Sequence, residues 1–127
     1  MTYERDGLRA VHTAIQDLLS KVNAIAIPLK KAEAAGLDWR ECDQGQELRA
    51  AAMQANARCH HESALLLHPP VIEAVERLGD AAYPMYWTRE SGSNDNHRNE
   101  FFEAIHAATE AIATRLRELY GFMPSID

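Results

Sequence analysis

The chain lacks any long apolar run, any surplus of basic residues and any density of cysteine, and each shortage removes a class of protein. No stretch approaches the roughly 18 apolar residues expected of a membrane-spanning helix, so no membrane association is predicted. Thirteen basic side chains face 19 acidic ones for a net charge of −6. That balance repels a phosphate backbone, and Lys30–Lys31 is the one adjacent basic pair; nucleic-acid binding is therefore not expected. Cys42 and Cys59 are the two cysteines. On one continuous helix they stand about 25 Å apart at 1.5 Å per residue, far beyond disulfide reach. Two free thiols and a first stretch, Met1–Asp6, without a basic leader point to a cytoplasmic location.

What remains is a chain of 127 residues, 46% apolar and 25% charged, enough to bury one core and typical of a single globular domain over residues 1–127. Its clearest signal is helical. Leu8, Val11, Ile15, Leu18, Val22, Ile25 and Leu29 recur at alternating spacings of three and four, which turns one stripe towards partner helices throughout. Leu19, Ala26 and Ile27 broaden that stripe. Pro28 predicts a kink or restart near Ile27, and Gly36–Leu37 a glycine-closed end.

Asp38–Glu41 reads as a capping box opening a second helix that runs to Leu67, with a small-residue middle at Ala50–Ala57. Gly45 weakens its first turns. His68–Pro69–Pro70 ends it. A short third helix carries Val71, Ile72, Val75 and Leu78 and is expected to stop at Gly79. From Asp80 to Asn94 the periodicity fails, through an aromatic stretch and the polar loop Glu90–Asn94. The last helix starts at Asn94 or Asp95, buries Phe101, Ile105, Ala108, Ile112, Leu116 and Leu119, and ends at Gly121–Phe122 with Pro124 beyond. No strand alternation is visible. The expectation is all-α: an antiparallel four-helix bundle of three long helices and one short one, with one long aromatic-containing connection.

Two sets of residues carry candidate function. Trp39, Tyr83, Met85, Tyr86, Trp87 and Phe102 are predicted to meet at one end of the bundle. There they would form a plug over the core, an interface or a small-molecule pocket. The surplus apolar flanks of the first helix, Leu19 and Ile27, would be covered by a second copy, giving a homodimer. The leading expectation is a non-catalytic helical module that binds a protein partner, itself or a small molecule, without a cofactor.

The second set comprises Glu73, Glu76, Glu100, Glu103 and His106. Glu-x-x-Glu pairs on neighbouring helices suit Mg²⁺ or another divalent metal held against a phosphate, and Glu103–His106 supplies a Glu-x-x-His pair. This pairing faintly resembles the all-α nucleotide pyrophosphohydrolases. The chain departs from them at Glu103, where their second motif ends in aspartate, and through the short helix expected to carry Glu73 and Glu76. The alternative function it implies is metal-dependent hydrolysis of a phosphorylated, nucleotide-type small molecule; the family is not assigned. Cys42, near a helix start, is the more reactive thiol expected, and Cys59 a buried structural one.

Overall fold

The computed structural model describes residues 2–87 and 95–121. Five α-helices span α1 (Thr2–Asn23), α2 (Ala26–Ala34), α3 (Asp43–Ala64), α4 (Pro69–Tyr86) and α5 (Asp95–Tyr120), with a single 3₁₀ turn at Trp39–Glu41. There is no strand among the described residues. The four long helices make the bundle; α2 caps one end of it.

Three contacts fix the directions of the helices. Leu66, just past α3, lies against Gly7 near the start of α1. Asn56 of α3 reaches Gly79 and Tyr86 of α4. The Arg115 Nε donates to Glu4 at 2.6 Å, tying the end of α5 to the start of α1. Helices joined in this way run up, down, up and down, each antiparallel to its neighbours.

The α1 stripe is buried along its whole length, from Leu8 to Leu29. Leu8 to Val22 join Val71, Val75, Leu78, Ala82, Met85, Phe101, Ala108, Ile112 and Leu116 in one core, while Ile25 and Leu29 enter a second, smaller one. The break in the first helix falls before the expected position. The chain turns at Ala24–Ile25, and Pro28 occupies the first turn of α2, where a missing N–H leaves no helical bond unmade. Gly36 closes α2 as expected: at φ +75° it donates to the Glu33 carbonyl while Leu37 donates to Ala32 at 2.8 Å.

Three boundaries differ from expectation. Asp38 does not cap α3; it opens the 3₁₀ turn through the Glu41 N–H bond to its carbonyl, and α3 begins at Asp43 behind an extended Cys42. That helix also ends at Ala64, with Leu65–Leu67 forming a turn. Nor does α4 stop at Gly79. It runs 18 residues to Tyr86, through Gly79 and Pro84, so the expected short helix is long and takes in most of the aromatic segment. Gly79 lies within the helix, and His60 and Asn56 occupy the space where its Cβ would stand, which makes it a packing glycine rather than a terminator. The expected loop Glu90–Asn94 and the residues Phe122 and Pro124 lie outside the described residues.

Leu67 has a positive φ of 55° and is 83% exposed. A left-handed conformation costs a non-glycine residue about 1–2 kcal/mol. Leu67→Gly is therefore expected to raise stability by about 0.5–1 kcal/mol in urea unfolding, after the extra unfolded-state entropy of glycine is deducted. Gly79→Ala must displace the His60 ring and press on the Asn56 Oδ1, which offsets the roughly 1 kcal/mol of helix propensity that alanine gains, so its net change should stay within about 1 kcal/mol.

Candidate interaction surface

The end of the bundle that carries the aromatic residues has a small core of its own. Ile25, Leu29, Trp39, Ala52 and Tyr86 are buried together, with Ala32 and Leu48 packed against them. Gly45 accounts for how Trp39 fits: any side chain there would collide with the Trp39 carbonyl and press on its ring. The glycine that weakens α3 locally is thus what lets the 3₁₀ turn fold back over the helix start.

The six aromatic-set residues divide by helical face. Trp39, Met85 and Tyr86 point inward and are at most 5% exposed. Tyr83, Trp87 and Phe102 point outward and are 46%, 40% and 38% exposed. Tyr83 on α4 and Trp87, the residue that caps it one turn later, stack with ring centroids 5.8 Å apart. Tyr83 also meets Tyr86 edge-on at 5.8 Å. The Arg49 guanidinium of α3 lies 4.0 Å over the Trp87 ring, within the range of a cation–π contact. A second such pair, Arg98 over Phe102 at 5.6 Å, lies on the first turns of α5. Met53, one turn after Arg49, is also half-exposed. The segment is therefore both plug and surface.

The register of this surface is held by a buried amide. The Asn56 Nδ2 donates to the Tyr86 hydroxyl oxygen at 3.1 Å and to the Gly79 carbonyl at 3.3 Å. Its Oδ1 is buried and has no hydrogen-bond partner among the described residues.

The carboxylate and imidazole set is placed differently. Glu73 and Glu76 are exposed on α4, and Glu100, Glu103 and His106 are exposed on α5. Among the described residues, no three His, Cys, Asp or Glu side chains form a group able to hold a metal. Of the apolar flanks on the first helical stretch, Leu19 packs against the core of its own chain, whereas Ile27 is 68% exposed. The sequence reading missed Arg49, Arg98 and Asn56. Only Asn56 left a trace, as a polar residue on the seam of Ala52, Ala55 and Cys59.

A cleft of about 230 Å³ lies beside the small core, between α2 and the start of α3. Pro28, Ala32, Ala35 and Leu37 form one side, and Trp39 and Gly45 the other. Lys31, Cys42 and Gln44 supply its polar atoms. The Cys42 thiol donates to the Asp38 carbonyl at 3.6 Å.

No family model, curated protein or solved structure matches the chain. The reading of its surface rests on its own residues.

The thiols are both free but chemically unequal. Burial, reinforced by the Asp17 charge, pushes the Cys59 pKa up to about 12, against smaller lowering contributions from Arg58 and the backbone. A thiol reagent at pH 8 is expected to modify only Cys42 in the folded protein, and both cysteines in guanidinium. Native modification of Cys59 at a comparable rate would contradict its placement in the core.

Proposed function

We propose that this chain is a non-catalytic helical interaction module that forms a two-fold homodimer through its α3–α4 aromatic face. The observation that carries this reading is the stacked pair Tyr83–Trp87, left 46% and 40% exposed beneath Arg49 while its neighbours Met85 and Tyr86 are buried. Tyrosine, tryptophan, methionine and arginine are the residues enriched at the centres of protein interfaces. Here they sit on rigid helices, so docking costs little ordering entropy. A two-fold axis through the patch would bring each Trp87 against the partner's copy of the same surface.

The module docks by its α3–α4 face; of the apolar flanks of the first helical stretch, Leu19 is partly buried against its own core and Ile27 remains free to add contact area. Nothing in the placement of Glu73, Glu76, Glu100, Glu103 and His106 favours the metal-dependent alternative, whose carboxylates remain on solvated helix faces.

Sedimentation equilibrium at micromolar concentration is expected to give twice the chain mass. Trp87→Ala should raise the dimer dissociation constant by about 10-fold or more, as loss of a central aromatic anchor does. Because Trp87 is partly exposed, the monomer's folding stability should fall by less than about 1 kcal/mol. A monomeric wild type, or a variant that loses stability but not association, would overturn the proposal. Adding Mg²⁺ or Mn²⁺ should leave the Tm unchanged; a rise of several degrees, lost in Glu103→Gln, would support the hydrolase reading instead.

A further inference from the structure

The cleft between α2 and α3 lies apart from the face assigned to self-association, and its chemistry is more specific. We infer that it is a binding site for a small amphipathic carboxylate, a short-chain or aryl acid, with the tail against Trp39 and the carboxylate at Lys31 and the first turn of α3. This inference is independent of the dimer.

Size sets the first limit. The cleft holds about 230 Å³, whereas a cavity of about 150 Å³ is enough to take benzene. One ring or a short chain fits, with room for a head group. Polarity sets the second. Pro28, Ala32 and Leu37 present an apolar wall opposite Trp39, a combination that suits a hydrocarbon tail. Leu37 is 56% exposed, and a tail lying along it would cover it.

Charge selects the head group. Lys31 is the one charged residue among the described residues lining the cleft, in a chain of net charge −6. Across from it begins a helix of 22 residues whose N-cap, Cys42, makes no side-chain cap hydrogen bond. Its thiol turns instead to the Asp38 carbonyl. The two residues whose N–H groups an N-cap side chain ordinarily satisfies are the second and third of the helix, and these are Gln44 and Gly45, both lining the cleft. A carboxylate between Lys31 and this first turn would take the place of the missing cap and meet the positive end of the helix. The Trp39 carbonyl fills the space beside Gly45, so the carboxylate would approach this turn from the Lys31 and Gln44 side.

The test is a ¹H–¹⁵N NMR titration of the full chain with hexanoate and benzoate, beside acetate and hexanol. Saturable shifts confined to residues around Pro28–Gln46 are expected for both acids, with a Kd on the order of 1 mM or below. Acetate lacks the tail and hexanol the charge, so each should bind at least about 10-fold more weakly. Lys31→Met keeps the stem and removes the charge, and should weaken hexanoate about 10-fold. Ala35→Leu should fill the cleft and abolish binding, with the dispersed spectrum reporting that the fold is intact. The same titration in Trp87→Ala should be unchanged, which separates this site from the dimer face. Absence of saturable shifts, equal shifts with acetate (an adventitious ion only), or an affinity unaffected by Lys31→Met would overturn the inference.

Discussion

The contact between Asn56 on α3 and the Gly79–Tyr86 stretch of α4 is the constraint on which the working end of the molecule depends. Apolar stripes hold two helices together but tolerate sliding, because one leucine contact resembles another. A buried amide that must find both a backbone carbonyl and a tyrosine hydroxyl does not tolerate it. Single buried polar groups fix register in this way in other helix pairs, at a cost in stability. The absent side chain of Gly79 is the complementary half of the device, since the His60 ring and the Asn56 amide oxygen lie where its Cβ would stand.

Once Tyr86 is fixed inward, the faces of the remaining aromatic residues follow. Ala82, one turn before Tyr86, is buried with it, and Met85 lies one turn after Ala82, while Tyr83, at the margin of that face, stands with Trp87 four residues on and is exposed. Arg49, one turn before the buried Ala52, is then positioned to cover Trp87. Burial of Tyr86 beside Trp39 also completes the small core against which α2 and the 3₁₀ turn are folded. The cleft is the space left between those two elements. A register contact in the middle of α3–α4 thus organises both the exposed aromatic face and the neighbouring cavity.

Much of the fold was legible because periodicity survives local interruptions. The α1 stripe predicted from seven residues is buried at every position, even across the break at Ala24–Ile25. The Gly36 helix end was legible for a related reason, since its signal is local and its geometry has few alternatives. The extent of α4 was not. Gly79 and Pro84 are stop signals in isolation, and Ala81–Ala82 is too small to advertise a core position. In the fold Gly79 packs against His60 and Asn56 of α3, more than 15 residues away in sequence, a contact that no local signal carries. The gathering of Trp39, Tyr83, Met85, Tyr86 and Trp87 at one end could be anticipated from composition, but the division between buried and exposed members could not. That division turns on the single long-range hydrogen bond to Tyr86.

The claim that this bond orders the end of the bundle is tested most directly by a double-mutant cycle. Urea unfolding of the wild type, Asn56→Ala, Tyr86→Phe and the double variant isolates the pairwise energy. The account predicts a coupling of about 1 kcal/mol or more between the two sites. Additivity within about 0.3–0.5 kcal/mol would contradict it.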